Sequence, residues 1–398
     1  MAFLLGAVAF VIALLASVML HEAGHLLTAK RFGMKAAQYF VGFGPTLWSR
    51  RWGETEYGVK AIPLGGFVRI VGYTRLEKVP EADRERAFYR QPAGRRAVVI
   101  AGGVVANFVV AFVLLAVMAM TIGVRDGGAP TATVRQVSAC VPASAGAPCE
   151  AGRPRSPAAL AGLREGDRVV AFDDVQVEDW NDLQRAIGAT RPGQTVPVVV
   201  EREDDGHETR RTLQVRLADS EGRAFFGMSP AQRYVRENPV DAAVFAAQGI
   251  GRTVGGIGTA LADLPSALPR LFSPDRGDTP GGQVGSVVGA TGVSGQIFAS
   301  GATLRDKTAL FLSLVVSVNI FLGAMNVLPL LPLDGGHLAV LAYERARARV
   351  ARLRHRPDPG PVDLTKLMPF TYLAIFLLVG LGVLLILADV LNPLKLPG

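Results

Sequence analysis

The stretch that most limits what this chain can become is its first one. From Ala2 to Leu20 no residue is charged, and the apolar run leads straight into His21-Glu22-Ala23-Gly24-His25. A run of that length crosses a bilayer as a helix, and on a helix His21 and His25 fall on one face, one turn apart. Two imidazoles so placed can bind one zinc ion, with Glu22 beside them to take a proton from water that the metal activates. Ionisable groups in an apolar span are costly and mark function by default. With 5 histidines in 398 residues, the pattern has little chance of arising by accident. At about 1.5 Å per residue, His21 lies about 30 Å along the helix, at the far side of the hydrocarbon. A cleaved signal peptide fits this stretch poorly, since it has no basic flank and no small-residue cleavage site before the histidines.

Three more uncharged segments are long enough to span: Ala97–Val124, Thr308–Leu333 and Leu367–Ala388. With 49% hydrophobic and 19% charged residues the composition suits a polytopic membrane protein. The net charge of +8 would fit a nucleic-acid binder, but its placement argues otherwise. Lys30–Arg96 holds fourteen Lys/Arg against six acids, and Tyr343–Lys366 holds seven against three. Both read as cytoplasmic loops, and their arginines as topology anchors. The region Arg125–Asp306 is then outside, the histidines lie near the cytoplasmic face, and membrane lipid is the surrounding partner. Cys140 and Cys149 are too few for a disulfide framework or a thiolate zinc site, but an extracytoplasmic pair can form one bridge.

Gln38–Thr74 reads as strands. Gly42-Phe43-Gly44-Pro45 breaks any helix, Gly53-Glu54 marks a hairpin turn between Thr46–Trp52 and Thr55–Ile70, and Pro63 with Gly65-Gly66 suggests a bulge. Apolar strands beside an intramembrane site are tolerated where they line a cavity, and the edge around Gly42, Phe43 and Gly44 is a candidate for strand addition by substrate. Pro80–Tyr89 reads as a short amphipathic interfacial helix anchored by Ala87, Phe88 and Tyr89. Pro239–Phe272 has small-residue helical periodicity and is placed on the outer membrane surface. Pro274–Gly301, rich in Gly, Ser and Thr, reads as a loosely structured connection.

The third span ends Asn326-Val327-Leu328-Pro329-Leu330-Leu331-Pro332-Leu333-Asp334-Gly335-Gly336-His337. Two prolines three residues apart break the helix, and Asp334 arrives at the depth of the two histidines. A carboxylate there completes a three-ligand zinc site with an open position. His337 is a competing ligand; Asp334 is favoured and His337 is read as a neighbouring or interfacial residue. Asn326, just ahead of the break, can donate and accept toward an unwound backbone.

Outside, Thr131–Leu217 has short strands and turns. Ser156-Pro157-Ala158, Ala161-Gly162-Leu163 and Gly166-Asp167 precede a strand at Arg168–Phe172, a helix at Asn181–Ile187 and a strand at Thr195–Arg202. This resembles a PDZ domain of bacterial envelope proteases. With the two metal motifs and Gly42-Phe43-Gly44, the chain as a whole resembles the site-2 protease family of intramembrane zinc metalloproteases, in its single-PDZ bacterial branch. One departure is Gly103-Val104-Val105-Ala106-Asn107, where members usually carry a proline after the glycine; it puts local helix geometry in question.

The expected fold is an α-helical polytopic membrane protein with four transmembrane helices, a membrane-associated β-hairpin and an inserted extracytoplasmic PDZ domain. Its parts would be a first membrane-core segment at 1–124, the PDZ domain at 127–222, an extracytoplasmic helix and Gly-rich linker at 223–306, and a second core segment at 307–398. The expected activity is hydrolysis within or near a transmembrane segment, using one Zn2+ per chain on His21, His25 and Asp334, with Glu22 as general base. The resemblance implies a single-pass substrate such as an anti-sigma factor, already cut by a site-1-type protease, at the inner (plasma) membrane. A zinc transporter would show internal repeats or ligands on several helices, which the sequence lacks, and a non-catalytic PDZ scaffold would not need Glu22. In a cysteine-free background, impermeant thiol labelling from outside should reach Asp204→Cys and miss Arg352→Cys; the reverse pattern would invert the topology.

Overall fold

The computed structural model describes residues 1–74, 77–125, 130–142, 149, 152–204, 207–231, 234–273 and 285–394. Its main elements, in chain order, are helix α1 (Ala2–Arg31), strands β1 (Ala36–Trp52) and β2 (Thr55–Ile70), α2 (Ala93–Thr121), β3 (Thr131–Val137), β4 (Arg168–Phe172), α3 (Trp180–Gly188), β5 (Thr195–Asp204), β6 (His207–Arg216), β7 (Met228–Ala231), α4 (Pro239–Ala262), α5 (Val287–Ala299), α6 (Leu304–Val327), α7 (Asp334–Leu353) and α8 (Met368–Leu391). They form two units: Met1–Ile122 with Glu237–Gly398, and Gly123–Arg236. The smaller unit therefore runs past residue 222, because β7 returns to pair with β3.

Four helices of the larger unit are long and apolar enough to cross a membrane: Ala2–Arg31, Ala93–Thr121, Leu304–Val327 and Thr365–Leu391. A hydrocarbon solvent offers no hydrogen bonds, so such segments must satisfy their backbones internally as helices. Side chains then decide how closely they pack. Helices α1 and α2 meet at glycines: a Cβ on Gly24 would come within 2.6 Å of the Gly102 carbonyl carbon. Small residues at a helix crossing let backbones touch, which is how spans gain contact without a hydrophobic effect between them. On the same face of α1 as the histidines, Ser17 Oγ accepts from Asn319 Nδ2 of α6 at 2.9 Å, and both residues are buried. Such bonds contribute about 0.6 kcal/mol on average between spans. Leu115, Met118, Ala246, Val316 and Ile320 form a core shared by α2, α4 and α6.

Three expectations need correction. The third span stops at Val327 instead of Leu333, since the prolines end α6 six residues earlier, and Asp334 opens α7. Within Pro274–Gly301, residues 274–284 lie outside the described ones, while Val287–Ala299 is a helix and not a loose connection. Its Gly and Ser read as turn formers, yet they serve helix contact: Ser294 Oγ donates to Gly6 O of α1 at 2.8 Å. The start of α5 is tied to α8, where Asp389 accepts from Ser286 N and Oγ, each at 2.6 Å, and from Gly289 N at 3.1 Å. Finally, Pro80–Tyr89 forms two 3-10 turns, Glu81–Arg86 and Phe88–Arg90. Ala87 and Phe88 are buried under Val71 and Gly72 and do not face lipid, because Phe88 N and Tyr89 N donate to those two carbonyls.

The turn at Gly53 joins β1 and β2 as expected, but each strand is also bent once, β1 after Val41 and β2 after Ile62. Thr46–Trp52 pairs with Thr55–Lys60. The first half of β1 is flanked twice, with Val41 opposite both Val59 and Gly66 and Gln38 opposite both Glu56 and Arg69. The bend in β1 needs φ of +81° at Gly42 and +83° at Gly44, which L side chains seldom adopt. The outer edge beyond β1 is thus Gly66–Ile70.

The smaller unit is built on an antiparallel sheet in the order β7-β3-β4-β5-β6, with α3 beside it. Val169, Phe172, Leu183, Val196, Val198, Val200 and Leu217 fill its core. Alternation does this: Val196, Val198 and Val200 are buried while their neighbours along β5 are less so. Helix α3 starts on a capping box, Asp179 with Asp182. Cys140 and Cys149 are paired, with Cα atoms 5.8 Å apart. Asp167, 1% exposed, takes a bidentate pair from Arg202 at 2.7 and 2.6 Å, and accepts from Arg164 N at 2.8 Å. Arg202 also reaches Gly162 O at 2.9 Å, so one buried ion pair staples the Gly162–Asp167 turn to β5. Removing one partner leaves a buried charge alone, so Asp167→Ala should destabilise this unit by about 3–5 kcal/mol. Amide exchange across β5 measures it; wild-type protection would mean the pair carries no such role.

Candidate metal centre

Each member of the cluster reaches its place for a separate physical reason. His21 and His25 are brought together by helical periodicity alone. Asp334 arrives because Pro329 and Pro332 end α6 and the loop Leu328–Leu333 folds back over the start of α7. That fold is close: a Cβ on Gly336 would stand 2.6 Å from Leu331 N, so the Asp334-Gly335-Gly336 run is a steric requirement of the turn. As the first residue of α7, Asp334 also has its carboxylate favoured by the helix N-terminus.

The three side chains converge. His21 Nε2 lies 3.2 Å from His25 Nε2, and Asp334 Oδ2 lies 3.2 and 3.3 Å from the two nitrogens. Yet Asp334 Oδ2 is buried without a hydrogen-bond partner among the described residues. The atoms aim at a common point instead of pairing off. Donors about 2.0–2.1 Å from a tetrahedral zinc lie about 3.3–3.4 Å from one another, so this triangle matches one face of such a site. His, His and carboxylate are also a donor set that zinc accepts. By geometry, exposure and chemistry the cluster His21, His25 and Asp334 could hold a metal.

The surroundings set the imidazoles. Val99 O lies 2.8 Å from His25 Nδ1 and can only accept, so Nδ1 carries the proton and Nε2 presents its lone pair. Gly103, one turn along α2, leaves room for both rings: a Cβ there would stand 2.6 Å from His21 Cε1. Residues 103–107 lie in unbroken helix, so the valine in place of the usual proline leaves α2 regular. Glu22 lines the same cleft, of about 470 Å³, with the three cluster residues, Asn326, Pro332 and Phe67–Ile70. Its Oε2 accepts from Val68 N at 2.9 Å. The hairpin therefore fixes this carboxylate through its outer edge strand.

Other expected residues are placed differently. Gly42, Phe43 and Gly44 do not line the cleft; they form the bend of β1, and Phe43 stacks on Phe67 with ring centroids 6.0 Å apart. Alternating apolar sequence cannot say which strand is flanked twice, and the bend decided it. Asn326 does line the cleft, while its Nδ2 donates to Leu322 O in its own helix at 3.0 Å. His337 is not in the cluster. It meets Tyr73 edge-on at 5.2 Å and lines a separate cavity with Arg96 and Glu344. Burial pushes the His337 imidazole down from its ordinary value. Burial, with the Asp334 and Glu22 carboxylates adding to it, pushes the Tyr73 phenol up. Sequence reasoning missed Val99, Gly103 and Asn107 as supports of the rings. The spacing of four along α2 was the available signal.

A cluster of two histidines and an aspartate that could hold a metal, with a carboxylate alongside and in a unit of membrane-length helices, fits a membrane metallopeptidase. Comparison with known proteins agrees. Residues 9–356 match the model of Peptidase family M50. The chain is 38% identical over 414 residues to the zinc metalloprotease Rip1 of Mycobacterium tuberculosis, and 35% over 418 residues to that of Mycolicibacterium smegmatis, covering all of each pair. It is also 27% identical over 409 residues to the metalloprotease MmpA of Caulobacter vibrioides, covering 94% of both chains. The chain belongs to peptidase family M50, the site-2 protease family. It is a zinc metalloendopeptidase and a multi-pass membrane protein.

Gly103 gives a direct check on the geometry. Gly103→Ala would push a methyl against both imidazoles, so purified protein should lose most of its zinc by atomic absorption while the four spans remain folded. Full zinc content would show that α2 yields at this point.

Proposed function

We propose that this enzyme cleaves a single-pass membrane protein, such as an anti-sigma factor, within or near its transmembrane segment, after a site-1-type protease has shortened it outside. The observation that carries the hydrolytic reading is the near-equilateral triangle of His21, His25 and Asp334 donors, set among spans with Glu22 in the same cleft, while the substrate class rests on the family resemblance. His21, His25 and Asp334 would hold one zinc per chain. When bound, the zinc supplies Lewis acidity to the scissile carbonyl and to water. Glu22 takes a proton from the attacking water as the new C–O bond forms, and returns it to the departing nitrogen as the C–N bond breaks. Val68 N–H holds Glu22 in place for both transfers.

A helical substrate hides its peptide bonds, and an unwound one needs partners for its backbone. The Phe67–Ile70 edge beside the cleft supports strand addition there, in place of Gly42–Gly44, and Asn326 supports a side-chain contact to the same segment. The hairpin would then be membrane-associated. The basic loops support a cytoplasmic-side active site in the inner membrane, with the Gly123–Arg236 unit outside. That unit supports a PDZ reading: a groove of about 590 Å³ lies between Trp180, Gln184 and Ile187 of α3 and the segment Gly222–Met228, suited to an extended chain.

His21→Ala, His25→Ala and Asp334→Asn should each lose most bound zinc, whereas Glu22→Gln keeps it and loses cleavage of a co-expressed membrane substrate. Zinc retained in Asp334→Asn with normal cleavage would remove Asp334 as a ligand. Asn326→Ala should keep zinc and stability but slow cleavage, with partial rescue by helix-breaking residues near the scissile bond. A wild-type rate would return Asn326 to a structural role.

A further inference from the structure

Asn107 stands one turn beyond Gly103 on the face of α2 that backs the cluster. It is wholly buried, and its Nδ2 lies 3.2 Å from His21 Nδ1. Its Oδ1 is buried without a hydrogen-bond partner among the described residues. With Nδ2 donating to Nδ1, the neutral ring carries its proton on Nε2, the atom 3.2 Å from Asp334 Oδ2. A protonated Nε2 cannot ligate a metal. Turning the amide end over exchanges Nδ2 and Oδ1 with no change of shape. Oδ1 then accepts from Nδ1–H, and Nε2 is freed as a lone pair toward the cluster.

We infer that Asn107 is a positioning residue for the metal site, its side-chain oxygen holding His21 in the Nδ1–H form and at the ring angle that zinc requires. The inference rests on His21 being a ligand. It gives the two imidazoles equivalent supports from one face of α2: the Val99 carbonyl for His25 and the Asn107 amide oxygen for His21. Carbonyls and carboxylates in this role set the tautomer and basicity of ligating histidines. Asn107 touches no substrate and takes no part in proton transfer.

The test is zinc affinity by chelator competition on full-length protein in detergent, together with the visible spectrum of the cobalt-substituted form. Asn107→Leu keeps the branched side-chain shape, though larger, but lacks the acceptor, and should weaken zinc binding about 10–100-fold and shift the cobalt bands. Asn107→Asp restores an acceptor and should return affinity to within a few fold of wild type. Asn107→Ala, expected to show the same loss as leucine, replaces it if the leucine variant does not fold. Wild-type affinity in Asn107→Leu or Asn107→Ala overturns the inference. So does an equal loss in the leucine and aspartate variants, which is what a packing role alone would give. His21→Ala measured alongside separates the two levels: full zinc retention there would sink the ligand reading itself, whereas loss there with an unaffected Asn107→Leu would sink only this inference.

Discussion

Helices α1 and α2 touch backbone to backbone at Gly24 and Gly102, and the rest of the larger unit depends on that contact. Bulky residues at the crossing would hold the helices apart, leaving the imidazoles without support from α2. Because Gly103 has no side chain, the rings of His21 and His25 can lie against the helix, where the Val99 carbonyl is within 2.8 Å of His25 Nδ1. In hydrocarbon this proximity matters more than in water, since every buried polar atom must find its partner in the protein. The glycines thus act through electrostatics as much as through packing. They bring dipoles to groups that lipid would leave bare.

Much of the site was legible because it follows from periodicity and from chain breaks. The i, i+4 spacing of His21 and His25 holds on any helix, and Pro329 and Pro332 end a helix wherever they stand. The depth of Asp334 followed from counting spans. What surrounds the cluster was less legible. Val99 contributes a carbonyl, which every residue has, so no side-chain type announces it. Asn107 stands out in the sequence only as the end of the Gly103–Asn107 stretch, and what it touches needs the distance to His21. The Gly-Ser-rich stretch around α5 misled for a related reason: small residues mean turns in water, but close helix contact between apolar spans.

The hairpin shows a different boundary. Its existence and its Gly53 turn could be read from strand-forming residues and breakers. Its edges could not, because Gly42-Phe43-Gly44 and Pro63-Leu64-Gly65-Gly66 mark bends without saying which side each bend turns toward. Only the doubled pairing of Gln38–Val41 makes Gly66–Ile70 the outer strand. That outcome carries the Val68 amide to Glu22, and so links a β-structure to a helix-borne carboxylate 46 residues earlier in sequence.

The three cluster residues differ in how their elements place them. His21 and His25 lie inside a 30-residue helix, where moving one ring would mean moving the helix. Asp334 sits at the first turn of α7, after a loop of six residues, and its position depends on Gly335 and Gly336 letting that loop fold close. A carboxylate at a helix start is stabilised by the helix N-terminus without any counter-ion. Asp334 thus gains support from the start of its own helix, while the histidines take theirs from α2. The cluster is assembled from two donors one turn apart on α1 and a third at the first turn of α7, and each is supported by a different part of the fold.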